Sequence, residues 1–156
     1  MKQIIDFANQ PVDDAIKSVH SMVQDVLDIG REVRRPCEVF DLRDLLIEAK
    51  SILINSQESR DVRFDVEWNG PTRIKGHREQ FKRALTNILS NFMELPSLKT
   101  IRVSTENSAD RDCFEVILGN DGPLVAESDL MKLFTPFHTK GKSGGTGLGL
   151  SIVEKI

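Results

Sequence analysis

A glycine-rich run at residues 144–153 constrains the backbone more than any other stretch of this chain. Four of the six residues 144–149 are glycines, and residues without a Cβ can turn sharply and bring backbone N–H groups close to a ligand. A glycine-rich loop that leads into a helix binds anions, because unpaired N–H groups and the helix dipole point to the same place. The sequence therefore predicts a phosphate-binding loop. It continues into apolar residues in the pattern of a packed helix, namely Leu148, Leu150, Ile152 and Val153.

Residue spacing separates this run from three common phosphate-binding loops. A P-loop at residues 141–143 would need a glycine where Pro136 stands. In a dinucleotide-binding fingerprint that starts at Gly145, the third glycine falls on Leu150, and the glycine loop of protein kinases fails in the same way. A flexible linker is disfavoured as well, because linkers do not run straight into an apolar helix.

Length and composition limit the remaining classes. A chain of 156 residues that is 39% hydrophobic can hold one compact domain with an extension. Its 21 basic and 24 acidic residues give a net charge of −3, so no nucleic-acid partner is expected. The N-terminus lacks a signal-peptide pattern, and Cys37 and Cys113 are interpreted as ordinary thiols of a reducing compartment. These features together predict a cytoplasmic location.

The first part of the chain carries the heptad pattern of a long helix. Pro11 interrupts the pattern, which predicts a helix from about residue 11 to residue 34. Such an apolar stripe is too narrow to fold alone, so we expect it to pair with a helix outside this chain or with a second copy, as a homodimer. Its two apolar rows are Ile5, Val12, Val19, Val26 and Val33, and Ala8, Ala15, Met22 and Ile29.

Residues 37–156 show alternating strand and helix patterns. Their order predicts an α+β fold, a two-layer α/β sandwich with helices on one face of a mixed, mainly antiparallel sheet, preceded by the heptad-patterned helix. Asp41 is predicted to cap the first helix, and His77 is interpreted as a polar residue near the start of the second. The predicted strands are 37–40, 62–68, 72–75, 100–105 and 113–118, and the predicted helices are 42–53, 79–93 and about 128–134.

Four segments carry side chains that suit a nucleotide site. Asn87 and Asn91 are four residues apart on a predicted helix, so both project from one face. An amide carbonyl is a good oxygen ligand for Mg²⁺. Residues 120–123 follow a strand, and residues 134–140 include two phenylalanines and precede the glycine loop. Each segment alone has an ordinary structural explanation, but the four together favour a common site.

In this order and spacing the four segments resemble the ATP-binding domain of bacterial sensor histidine kinases. The wider superfamily includes DNA gyrase, the MutL repair proteins and a heat-shock chaperone. The resemblance covers about residues 38–156, and the heptad helix resembles the end of the second helix of the family's dimerisation and phosphoacceptor hairpin. Residues 87–91 resemble the N box, 120–123 the G1 box, 134–140 the F box and 145–150 the G2 box.

The resemblance implies two domains and a ligand set of ATP and Mg²⁺. Residues 1–36 are the helical segment, and residues 37–156 are the ATP-binding catalytic domain, which we expect to be truncated at its C-terminus. Asn91 is implied to bind Mg²⁺, Asn87 to face the phosphates and Asn120 to contact adenine. The other implied nucleotide-binding residues are Gly122, Lys140, Lys142, Gly145, Thr146, Gly147, Leu148 and Gly149.

The activity implied is that of a histidine protein kinase catalytic domain. It would transfer the γ-phosphoryl of ATP to a histidine on the phosphoacceptor hairpin of the parent kinase, for relay to an aspartate of a response regulator receiver domain. His20, His77 and His138 do not match the acceptor pattern, so autophosphorylation by this chain alone is not expected and no catalytic residue is assigned. The chain would be cytosolic, including as the cytosolic part of a membrane-bound sensor.

Two alternatives remain. A degenerate nucleotide-binding domain that acts as a regulatory interaction module is favoured by three departures from the family pattern. Asn120 replaces an aspartate, Leu124 replaces the second G1 glycine, and Glu94 stands where many relatives have a lysine. A gyrase- or MutL-like ATPase is disfavoured, because Asn87 occupies the position of a water-activating glutamate.

Overall fold

The structure is a computed structural model that describes residue 23 and residues 36–56, 61–108, 113–138 and 147–156. The chain divides into two compact units. The sheet unit comprises Arg35–Ala126 with Ile156, and the loop unit comprises Met1–Arg34 and Glu127–Lys155. Apart from Val23, which is helical, the predicted heptad helix lies outside the described residues.

The sheet unit begins with a strand that passes directly into a helix. Strand β1 (Glu38–Asp41) is followed without a break by helix α1 (Leu42–Ser56). The predicted cap is confirmed, because Asp41 Oδ1 accepts the backbone N–H of Arg43 at 2.9 Å. Arg43 also donates to the Thr72 hydroxyl at 2.8 Å, and that hydroxyl donates to Asp41 Oδ2 at 3.3 Å. These bonds fix the point at which the strand becomes a helix.

In the part of the chain that the structure describes, five strands form two sheets. Strands β2 (Arg63–Trp68), β4 (Thr100–Asn107) and β5 (Phe114–Asn120) lie in the order β2-β4-β5, with β2 parallel and β5 antiparallel to β4. Strand β1 pairs antiparallel with β3 (Arg73–Gly76). Two of the three pairings among the described residues are therefore antiparallel, which confirms the mixed, mainly antiparallel arrangement.

The turn after β2 does not close a β-hairpin, because the next strand pairs elsewhere. The backbone N–H groups of Asn69 and Gly70 each donate to Thr105 at 3.1 Å, to its carbonyl and its hydroxyl oxygen respectively. These two hydrogen bonds extend the contact between the β2 segment and β4 beyond the last residue of β2. The strand predicted at residues 72–75 is present as β3, but it pairs with β1 rather than returning beside β2.

Helix α1 and helix α2 (Arg78–Met93) pack on one face of the strands. Alternation along β4 shows this, because Ile101, Val103 and Thr105 are buried while Arg102 is exposed. Arg78 and Lys82 on α2 both form ion pairs with Glu48 on α1, the second at 3.3 Å. The apolar core comprises Phe40, Leu42, Leu45, Leu46, Ala49, Leu53, Ile74, Leu85, Leu89, Met93, Leu98, Ile101 and Val103.

Between Glu127 and Lys155, the described residues of the loop unit form two short helices. Helix α3 (Glu127–Leu130) is shorter than the predicted 128–134, because the chain continues in hydrogen-bonded turns. In these turns the Leu133 N–H is shared between the carbonyls of Asp129 and Leu130, at 3.1 and 3.2 Å. Helix α4 (Gly149–Val153) follows the glycine loop. Within the described residues, no helix has the length and apolar character required to span a bilayer.

Candidate functional site

Helix α2 carries the two asparagines of the predicted N box. Leu85, Leu89 and Met93 form its buried stripe, four residues apart. With about 3.6 residues per turn, a residue two positions further along lies about 200° around the helix. Asn87 and Asn91 therefore share a face directed away from the core stripe, and both are half-buried there.

The end of β5 carries the predicted G1 box. Val116 and Leu118 pack against the core, and by strand alternation Asn120 lies on the same face. The Asn120 Oδ1 atom accepts the backbone N–H of Gly122 at 2.7 Å. Because a carbonyl oxygen has two lone pairs, this atom can accept a second hydrogen bond.

Gly122 lies against the chain that follows helix α2. A Cβ at this position would lie 2.6 Å from Leu95 Cδ1 and 2.7 Å from Asn120 Oδ1, both closer than real Cβ contacts. Leu95 is only four residues beyond Asn91. The structure therefore brings the G1 turn and the end of the N-box helix together within the sheet unit.

Asp121 supports the G1 turn from the opposite side. Its Oδ1 atom accepts the backbone N–H groups of Lys99 and Thr100, at 3.0 and 3.1 Å, where β4 begins. These two hydrogen bonds hold the pKa of Asp121 below its ordinary value of 3.8. No local pattern in the sequence indicates this role, because the two partners lie 21 and 22 residues away.

We expect Asp121→Asn to lower stability at neutral pH but not in acid. Since the folded-state pKa lies below the unfolded value, the ionised carboxylate contributes stability that is present above pH 3.8 and is lost as the pH falls through the folded-state pKa. Urea unfolding at a series of pH values should show a difference between the two proteins that shrinks below about pH 4. A difference of constant size from neutral to acidic pH would contradict this role.

In the loop unit, Phe137 of the predicted F box lies against Gly147 of the glycine loop. The Phe137 N–H donates to the Gly147 carbonyl at 3.0 Å, and the two residues have positive φ angles of 63° and 67°. A Cβ at Gly147 would lie 2.7 Å from the carbonyl carbon of Phe137 and 2.9 Å from the backbone nitrogen of His138. Position 147 therefore requires glycine, both for its backbone conformation and for this close approach.

The other predicted nucleotide-binding residues fall into two groups. Leu148 is buried and is the N-cap residue of α4, and Gly149 is the first residue of that helix. Four predicted nucleotide-binding residues lie outside the described residues, namely Lys140, Lys142, Gly145 and Thr146.

The N-box face has the donor chemistry for a magnesium ion held together with phosphate. Among the described residues, no group of three or more His, Cys, Asp or Glu side chains is placed to hold a metal. Asn87 and Asn91 offer amide oxygens, which are hard ligands. Mg²⁺ usually takes one or two protein oxygens, several waters and substrate phosphates rather than a cage of protein ligands. The two amides therefore fit this ion.

A separate depression of about 560 Å³ lies in the sheet unit. Its lining mixes carboxylates and guanidinium groups, whereas small-molecule pockets are mostly apolar. None of the predicted site residues that the structure describes contributes to it, and we assign it no ligand. Its lining residues are Glu38, Val39, Phe40, Asp41, Asp44, Arg73 and Arg78.

Comparison with known proteins gives consistent results. Residues 76–156 match the family described as histidine kinase-, DNA gyrase B-, and HSP90-like ATPase. The chain is 33% identical over 97 residues to the sensor histidine kinase CssS of Bacillus subtilis (strain 168), a match covering 62% of this chain and 21% of CssS. It is also 33% identical over 90 residues to the sensor histidine kinase CpxA of Escherichia coli (strain K12), covering 54% of this chain and 19% of CpxA.

A solved structure of the catalytic domain of histidine kinase ThkA, in a nucleotide-free form, has the same fold. It aligns with a TM-score of 0.65 at 29% sequence identity, covering 78% of this chain and 80% of that domain. The chain spans about a fifth of the length of the two curated relatives, 21% of one and 19% of the other. All four predicted boxes lie within the matched residues 76–156.

Proposed function

The chain belongs to the histidine kinase-, DNA gyrase B- and HSP90-like ATPase family, and on this premise we propose that it acts as the Mg·ATP-binding catalytic domain of a sensor histidine kinase. The family match over residues 76–156 carries this proposal, because it includes all four boxes. The kinase branch is favoured over gyrase-like ATPases, since the relatives CssS and CpxA are sensor histidine kinases.

The G1 turn would bind the adenine. Asn120 Oδ1 already accepts the Gly122 N–H and has a second lone pair for the adenine amino group. Asp121 is bound to the backbone at Lys99 and Thr100, so it supports the turn while Asn120 faces the base. The close contact between Gly122 and Leu95 would hold this turn beside the end of the N-box helix.

The N box and the glycine loop would bind the phosphates. Asn91 would hold Mg²⁺, with Asn87 one turn earlier facing the phosphates, and Mg²⁺ when bound supplies positive charge that neutralises the phosphate oxygens. Backbone N–H groups around Gly147 and Gly149 would contact phosphate oxygens, and Lys140, Lys142, Gly145, Thr146 and Leu148 are included by resemblance. Phosphoryl transfer needs mainly positioning and charge stabilisation, so amides and glycines suffice.

The phosphoryl acceptor would be a histidine outside this chain. None of His20, His77 and His138 is followed by an acidic residue, so none matches the acceptor pattern of the family. The acceptor is therefore assigned to the phosphoacceptor hairpin of a parent kinase. The phosphoryl group would then pass to an aspartate of a response regulator receiver domain. Residues 1–36 would belong to that hairpin and form a homodimer contact, while residues 37–156 form the catalytic domain.

The second candidate is a regulatory module with a degenerate nucleotide site. Leu124, which replaces a glycine of the G1 box, is fully exposed and makes no packing contribution that would explain it. Asn120 lacks the charge that would strengthen a bond to adenine. The two candidates differ in one measurable property, since only the catalytic domain must bind ATP at cellular millimolar concentrations.

Substitutions at Asn120 test the proposal. Because a charge-assisted hydrogen bond is about 1 kcal/mol stronger than a neutral one, Asn120→Asp should tighten ATP binding about fivefold, and Asn120→Ala should weaken it by a similar factor or more. Calorimetric titration with ATP and Mg²⁺ measures both effects. Asn107→Ala, an exposed asparagine on β4, is the matched control and should leave the affinity unchanged.

Two results would contradict the proposal. Equal ATP affinity in the unmodified protein and in all three variants would show that adenine does not bind at the G1 turn. Saturable binding that appears only after Asn120→Asp would favour the degenerate regulatory module.

A further inference from the structure

A cysteine and a histidine outside the four boxes form a close pair on the sheet unit. Strands β1 and β3 are antiparallel with Glu38 opposite Gly76, so the residues just beyond this pair, Cys37 and His77, are also neighbours. The Cys37 Sγ atom lies 3.7 Å from His77 Nε2, a hydrogen-bond distance for sulfur. Cys37 is exposed, so small molecules can reach the sulfur.

The His77 ring faces Cys37 with its Nε2 atom, while its Nδ1 atom is buried. His77 is the N-cap residue of α2, but its side chain makes no capping hydrogen bond. Its Nδ1 atom is buried and has no hydrogen-bond partner among the described residues. Proton exchange with this imidazole therefore has to pass through Nε2, the nitrogen in contact with the thiol.

The second cysteine provides an internal comparison. Cys113 is exposed like Cys37. Within the described part of the chain, no hydrogen bond or ion pair of the Cys113 side chain is found. Among the described residues, the two thiols therefore share solvent exposure and differ in the neighbouring imidazole.

We propose that Cys37 is a thiol modification site that His77 activates toward small-molecule disulfides. The Cys37 thiol proton moves to His77 Nε2, and the thiolate attacks one sulfur of the disulfide. A new S–S bond forms at Cys37 while the original S–S bond breaks. The departing thiolate takes the proton from Nε2 and leaves as a free thiol, so the disulfide is the oxidant and the imidazole returns to its starting state.

The site lies where modification can act on the N-box helix. The His77 carbonyl accepts the N–H groups of Gln80 and Phe81, at 3.0 and 3.1 Å, in the first turn of α2. A group attached to Cys37 would occupy the space beside the His77 ring.

The charged side chains nearest in sequence to the Cys37–His77 pair are Glu38 and Arg78. Arg78 is itself paired with Glu48 and Glu79.

The test compares the two cysteines in the whole chain. Cys113→Ser leaves Cys37 as the reactive thiol, and Cys37→Ser leaves Cys113. Each protein is treated with oxidised glutathione at neutral pH, and the mixed disulfide is followed by intact mass. General-base assistance is worth 10²–10⁴-fold at its best, so we expect Cys37 to react at least about tenfold faster than Cys113. Adding His77→Gln to the Cys113→Ser protein should lower the Cys37 rate to that of Cys113.

A control in denaturant keeps the proposal testable if His77→Gln disturbs the fold. In concentrated guanidinium chloride the pair is separated, so the rates at Cys37 and Cys113 should become similar. Equal rates at the two cysteines in the folded protein would overturn the proposal. A Cys37 rate that exceeds the Cys113 rate equally in folded and denatured protein would do the same, because the difference would then come from local sequence.

Discussion

Replacing Leu89 by alanine should lower the free energy of unfolding by about 2–5 kcal/mol. Leu89 lies on α2 and has 0% of its side chain exposed. Truncation to alanine removes apolar surface that is buried in the core. It also leaves a cavity that neighbouring side chains fill only in part. Because domains of this kind are stable by only about 5–15 kcal/mol, a loss of this size should be obvious in urea unfolding.

Ile47→Ala is the matched control for this experiment. Ile47 is also an aliphatic residue on a helix of the sheet unit, but it is 63% exposed. Its truncation should change stability by no more than about 0.5 kcal/mol. Similar losses in the two variants would contradict the placement of the core between the helices and the strands.

Replacing Gly147 by valine should abolish ATP binding while leaving the sheet unit folded. The residue has a φ of 67°, a conformation that β-branched residues strongly disfavour. Its new Cβ would also lie 2.7 Å from the carbonyl carbon of Phe137, so the loop backbone must move. Because the described members of the sheet unit's apolar core lie between Phe40 and Val103, urea unfolding of that unit without ligand should change little.

Gly119→Ala provides the control for the glycine substitution. A Cβ at Gly119 meets no atom within 4 Å, although the residue directly precedes Asn120. Calorimetric titration should give normal ATP affinity for Gly119→Ala and no detectable binding for Gly147→Val. Normal affinity in both variants would show that the geometry of the glycine loop is not needed for the nucleotide.

Local patterns predicted the elements of this fold well. Period-two alternation located β2, and apolar spacing located α1 and α2 within three residues of their observed ends. The Asp41 cap followed from residue type and position, because an N-cap bond joins residues only two apart. Such features depend on neighbours in sequence, so sequence alone contains the information needed to predict them.

Pairings between distant residues could not be predicted in this way. The turn after β2 was clear, yet nothing local indicated that β3 would pair with β1. In the candidate site the same limit applies to Asp121 and to the contact between Phe137 and Gly147. Cys37 and His77 were interpreted separately as an ordinary thiol and a polar residue near a helix start, and only the register of β1 and β3 brings them together.

The central claim, that this chain binds Mg·ATP, is tested most directly by thermal unfolding with and without the nucleotide. A ligand at 100 times its dissociation constant adds about 2.7 kcal/mol to stability, which for a domain of this size raises the melting temperature by several degrees. We predict such a rise with ATP and Mg²⁺, and a smaller one when EDTA removes the metal. An unchanged melting temperature at millimolar Mg·ATP, in protein that unfolds cooperatively, would contradict the claim.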